Sequence, residues 1–177
     1  MKGADIVTKL SGGDRRSIGK SEEVVSEVLA DARLFGAVFD CMLVDDPLVR
    51  MRAADAVEKI TVLRPDFLKP YKAKLIKRVA TVDQQEVRWH VAQLVSRLEL
   101  NKSERKIALE FLNRYLDDKS SIVRTFAMQA LADIATRDAG LKRGIVKQLE
   151  RLSKEGSPAM RSRGRKLLIK LSNGARE

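Results

Sequence analysis

At 177 residues the chain can bury the core of one domain, and 44% hydrophobic against 33% charged residues separates it from disordered segments. Aromatics at 5% and only four prolines disfavour a strand-rich fold, and a lone cysteine excludes an intramolecular disulfide. The net charge of +11 favours anionic partners, while no stretch approaches the ~18 apolar residues of a membrane span, so neither insertion nor export is expected and a cytoplasmic protein is.

Residues 1 to 20, with Ser11-Gly12-Gly13-Asp14 and Gly19, lack helical periodicity and read as a flexible N-terminal arm. Within it, Gly13 to Ser21 superficially resembles a phosphate-binding loop, but five residues separate its glycines where that loop has four, and no strand precedes it. No cofactor is therefore expected. Ser21 is placed to cap a helix over Glu22 to Leu29, whose acidic first turn suits the positive end of the helix dipole.

From Ala32 onward, amphipathic stretches alternate in pairs. First members run over Ala32 to Val44, Phe67 to Val82, Glu104 to Leu116 and Leu141 to Leu152. Cys41 lies in the apolar part of the first of these and reads as a small buried hydrophobe. Second members begin at Val49, Val87, Val123 and Met160, with starts 38, 36 and 37 residues apart. Each carries apolar residues at offsets 0, +4, +7, +8 and +11, as in Val49, Ala53, Ala56, Val57 and Ile60, which is one stripe of a helix. Offset +4 is always Ala, Val or Gly, so a neighbouring helix can come close there. The connecting turns carry Asp45-Asp46-Pro47, Asp83, Asp117-Asp118 and Gly156-Ser157-Pro158, residues that cap or open helices and make short antiparallel hairpins.

Asp45-Asp46-Pro47-Leu48-Val49-Arg50, an Asp in the turn followed by a Val-Arg step opening the second helix, resembles the HEAT-repeat family, and the resemblance covers residues 31 to 172. The last copy departs, with Gly156, Met160 and Gly164 at the signature positions, as a terminal repeat can. The resemblance implies an all-α, right-handed α-α superhelix: an arm over 1–20, then a single domain over 21–177. Four helical hairpins near 31–62, 66–98, 103–135 and 139–172 would follow an N-terminal capping helix. Because stacked repeats lean on one another, Ala127→Arg should unfold the whole array.

In such solenoids second helices line the concave face. The resemblance therefore implies an interaction scaffold, without catalysis, that takes a protein or peptide there. Met51, Trp89, Gln93, Thr125 and Gln129 are the candidate contacts. Trp89, at offset +2 and about 180° from the core stripe, is either an exposed binding anchor or a residue packed beneath a neighbour. The arginines at offset +1, Arg50, Arg88, Arg124 and Arg161, are expected to join turn carboxylates such as Asp46 and Asp83 in a ladder. His90, at offset +3, reads as a surface or packing residue.

The charge is uneven. Residues 141 to 177 hold eleven Lys/Arg against three Asp/Glu, residues 67 to 106 ten against four, and residues 21 to 66 only five against ten. Hence the alternative that the basic C-terminal repeat binds nucleic acid through Arg163, Lys166 and Lys170. An enzymatic reading, by analogy with HEAT-like DNA glycosylases that excise alkylated bases with an aromatic residue and a carboxylate, would use Trp89. However, Gln93 stands where the carboxylate is needed. No small-molecule substrate is indicated.

Overall fold

The structure, a computed structural model, describes residues 3–14 and 19–173, and among them every regular element is helical. The chain divides into two compact units, Met1–Glu99 and Leu100–Glu177.

In the first unit α1 (Gly3–Leu10) and α2 (Ser21–Ala30) precede α3 (Phe35–Asp40), α4 (Pro47–Leu63), α5 (Lys72–Lys77) and α6 (Gln85–Val95). The long α4 is its axis, packed against α2 and α6, with α3 completing its hairpin. Local chemistry explains the bounds of α4. Asp46 accepts the backbone N–H groups of Leu48 at 2.8 Å and Val49 at 3.3 Å, Pro47 opens the helix with its fixed φ, and Arg64-Pro65 ends it. Val49, Ala53, Ala56, Val57 and Ile60 are fully buried, the stripe expected from periodicity.

The segment read as an unstructured arm needs correction: it contains α1, which packs on α3 and α4 with Ile6 and Leu10 buried. Eight residues are too few for a helix to persist alone in water, so α1 owes its existence to these contacts. Ser21 is also not a cap. It is buried at the first helical position of α2, and its hydroxyl faces the Asp55 carboxylate at 3.3 Å. The first helices of this unit are short α-helices flanked by 3-10 turns, over Ala32–Leu34 and Cys41–Leu43 around α3, and over Pro65–Tyr71 and Val79–Thr81 around α5. Prolines 65 and 70 deprive the backbone of donors there. Phe35, Phe39, Phe67 and Tyr71 hold the two pieces together, with the Phe39 and Tyr71 rings 4.7 Å apart.

The second unit comprises α7 (Lys102–Leu116), α8 (Ser121–Arg137), α9 (Ala139–Glu155) and α10 (Pro158–Asn173). Here α8 is central, touching the other three helices. A capping box opens α7: Asn101 Oδ1 accepts the Glu104 N–H at 2.9 Å while the Glu104 carboxylate accepts the Asn101 N–H at 2.8 Å. The close approach expected at offset +4 is visible at Gly164, where a Cβ would stand 2.8 Å from that of Ser153 on α9 and 3.2 Å from the Met128 methyl. Leu168, at offset +8 of α10, is only half-buried, since no described helix follows to cover it.

Candidate binding surface on the second helices

The two units present their second helices separately. In the first, Met51 on α4 and Trp89 and Gln93 on α6 are all half-buried. Trp89 leans on the neighbouring imidazole of His90, with ring centroids 5.5 Å apart and planes inclined at 52°. Gln93 shares a 3.4 Å contact between its amide nitrogen and His90 Nδ1.

Beneath these residues runs a polar seam that periodicity alone left as the boundary of the apolar stripe. Arg52 and His90, both at offset +3, are buried with 2% and 8% exposure. The Arg52 guanidinium turns toward the N-terminal segment and donates to the carbonyls of Leu10 at 2.8 Å, Gly12 at 2.7 Å and Asp14 at 3.1 Å. It thereby satisfies the C-terminal end of α1, where helical carbonyls lack intrahelical partners and the dipole favours a cation. His90 faces the charges Asp55, Glu58 and Lys59 on α4 and Arg97 beyond its own helix; burial outweighs the two carboxylates and lowers its pKa to about 4. Arg97 closes the seam, donating to the Glu58 carbonyl at 2.9 Å and to Thr61 Oγ1 at 2.8 Å while pairing with the Glu58 carboxylate.

The second unit repeats the pattern with other residues. Arg163, again at offset +3, donates to Gln129 Oε1 at 2.8 Å, and Gln129 donates to Asp133 at 2.9 Å. Lys170 pairs with the same Asp133 oxygen at 2.9 Å. The Arg163 guanidinium also stands 6.0 Å from the centre of the Phe126 ring. Thus Gln129, expected as a protein contact, and Arg163 and Lys170, expected as nucleic-acid contacts, are joined in one internal network. Lys166 remains exposed outside it, and Thr125 returns its hydroxyl to the Ser121 carbonyl at 2.7 Å.

The arginine series at offset +1 meets the turn carboxylates only in part: Arg88 joins Asp83, but Arg50 does not join Asp46. Arg50 bonds Gln84 Oε1 at 2.8 Å and the carbonyl of Val44 at 2.8 Å, and Gln84 returns its amide to the Pro47 carbonyl at 2.8 Å. The rung between the first two repeats is therefore a carboxamide, because Asp46 is occupied as a helix cap and Asp83 pairs with Arg88 of its own turn at 2.6 Å. Arg161 is exposed.

Cys41 is buried, and desolvation, aided by the Asp40 charge, pushes its thiol up to about 11. The loop-like segment Gly13 to Ser21 falls partly outside the described residues, at 15–18. Among the described residues no group of three or more His, Cys, Asp or Glu could hold a metal, and no helix is long and apolar enough to cross a membrane. Sequence reasoning missed one feature of the first-helix side. An open groove of about 900 Å³ lies between the N-terminal parts of α7 and α9, floored by Leu109 and Leu141 and bordered by the Arg105–Asp138 ion pair at 3.1 Å.

A family model for the HEAT repeat domain matches residues 8–171. No curated protein and no solved structure matches the chain. The model begins inside α1 and ends inside α10, spanning the hairpins of both units, and on that extent the chain belongs to the HEAT-repeat family.

Proposed function

We propose that the chain is a non-catalytic scaffold that takes a protein or peptide segment on its second-helix surface, with Trp89 as the anchor. The observation that carries this reading is the half-buried indole of Trp89 standing on the His90–Arg97–Glu58 seam. A rigid aromatic with one wet face, held by an ordered layer, loses little entropy on binding and offers large apolar area. Met51 and Gln93 would flank it on the same surface.

Two other readings have less support. Nucleic-acid binding through Arg163, Lys166 and Lys170 would have to break the bonds that Arg163 and Lys170 already make to Gln129 and Asp133. Base excision at Trp89 lacks a carboxylate at Gln93, whose amide is turned to His90.

The test is selection of peptides from a displayed library against the intact protein, followed by titration of chosen peptides while reading Trp89 emission. Trp89→Ala should weaken binding by about 2 kcal/mol, roughly thirtyfold in Kd. Peptides that bind equally well to Trp89→Ala, Met51→Ala and Gln93→Ala variants would sink the proposal.

A further inference from the structure

We propose that the outward face of α9 is a separate docking surface for the phosphate backbone of a double-stranded nucleic acid. Arg143, Lys147, Arg151 and Lys154 are all exposed and recur at i, i+4, i+8 and i+11. At 100° per residue these positions fall within about 80° of the helix circumference, and at 1.5 Å per residue they span about 16 Å. Such a length of duplex presents roughly ten phosphate charges over its two strands, so each cation has a phosphate within reach. The two carboxylates of this helix border the stripe closely, Glu150 three residues from Lys147 and four from Lys154, and Glu155 four from Arg151, so that α9, with Lys142, carries five cations against two carboxylates.

Lys170 gives its charge to Asp133 and Arg105 gives its charge to Asp138, whereas the four on α9 have no ion pair among the described residues. Other exposed cations of the unit, Arg161, Arg165 and Lys166 on α10, are likewise without an ion pair among the described residues, but at 100° per residue they spread over about 140° of their helix and form no single stripe. On α9, Glu150 and Glu155 offset part of the charge, and the excess of cations along the stripe is left for an external anion. Gly144 adds an independent indication. It stands at the edge of the stripe, about 20° beyond Arg151, within a regular helix, where glycine is destabilising relative to alanine, and a Cβ there would meet nothing within 4 Å. Internal packing therefore does not require glycine at this place. Its absent side chain leaves a low point beside the cations where a phosphate backbone can approach the helix closely.

The chemistry of the stripe also selects the class of polyanion. α9 contains no aromatic residue, so there is no platform on which unpaired bases could stack. Nor does an exposed apolar side chain lie among the four cations to anchor an acidic protein, and lysine is depleted at protein interfaces. Contacts made only by Lys and Arg read the backbone and not the sequence, so binding is expected to be insensitive to base composition.

The experiment follows the anisotropy of a labelled 20-base-pair duplex with the full-length protein between 50 and 200 mM salt. Four phosphate contacts should cost roughly a hundredfold in affinity over that range. The Arg143→Gln/Lys147→Gln/Arg151→Gln variant should bind weakly at low salt and lose only about threefold to fourfold over the same range. An Arg161→Gln/Arg165→Gln/Lys166→Gln variant removes equal charge from exposed positions of α10 and should keep the wild-type slope; circular dichroism verifies that both variants retain their helices. Equal weakening in the two variants would mean diffuse attraction to a basic protein and would overturn the assignment. So would a loss confined to the α10 variant, displacement of the duplex by polyglutamate as readily as by unlabelled duplex, or no binding at 50 mM.

Discussion

Arg52 and His90 hold the same register in successive second helices, and each looks back toward the preceding element, Arg52 to the carbonyls after α1 and His90 to Asp55 and Glu58 of α4. Charge decides how each is tolerated. An arginine cannot shed its proton, so burial demands the carbonyl cage that the N-terminal segment supplies. A histidine can, and burial keeps it neutral, with its pKa at about 4 against the usual 6.5. The pH dependence follows. Above pH 6.5 the imidazole is neutral in both states and contributes no slope. Between pH 6.5 and 4 the unfolded chain binds a proton that the folded one refuses, so stability falls with pH, by up to about 3 kcal/mol from this residue. Urea unfolding at pH 7.5 and pH 4.5 should show a smaller acid loss in His90→Gln than in the wild type. An identical loss in both would place the effect on the surrounding carboxylates.

At the scale of the element, legibility tracked the strength of the repeat. The second helices were readable because offsets 0, +4, +7, +8 and +11 recur four times, and Asp46-Pro47 marks the start of the first. α1 was not, because eight residues with Ile6 and Leu10 as their buried contacts carry too little periodicity. What stabilises α1 comes from positions distant in sequence: Arg52 at its C-terminal end, and Glu23 and Glu27 of α2, which grip Lys9 and raise its pKa, foremost through the Glu27 hydrogen bond. The polar seam was hidden for a related reason. Its members fall at offsets the apolar pattern does not constrain, and only the packing of α4 on α6 shows that Glu58 meets Arg97. Arg52→Met should therefore undock α1 and cost about 2 to 3 kcal/mol, the range for hydrogen bonds donated by a charged group. Deleting residues 1–14 should cost more, since it also removes the burial of Ile6 and Leu10 and the Lys9 ion pairs. Adding Arg52→Met to the deletion should cost little further, since the carbonyls that Arg52 bonds are then already gone. Additive losses in a denaturant-based double-mutant cycle would mean that Arg52 stabilises α4 by some means other than its cage.

Across the whole molecule, the in-phase repeats made the family readable while the binding surface was legible only in outline. Trp89 was identifiable as the sole tryptophan at an outward offset, but whether an outward cation is free or spent depends on partners in another helix, as Asp133 shows for Lys170. The stacking register itself can be tested at one position. Ala127 is fully buried at offset +4 of α8, the helix that touches α7, α9 and α10. Ala127→Arg would place an unpaired charge there, costing several kcal/mol, a large part of the stability of a domain of ordinary size. The expected outcome is collapse of the helices of Leu100–Glu177, which hold roughly half of the α-helical residues, with at least that share of the far-ultraviolet dichroism lost. Trp89 emission reports separately on Met1–Glu99, because that unit contains the only tryptophan. A dichroism spectrum close to that of the wild type would mean that offset +4 of α8 does not face its neighbours, and the register of the four hairpins would have to be redrawn.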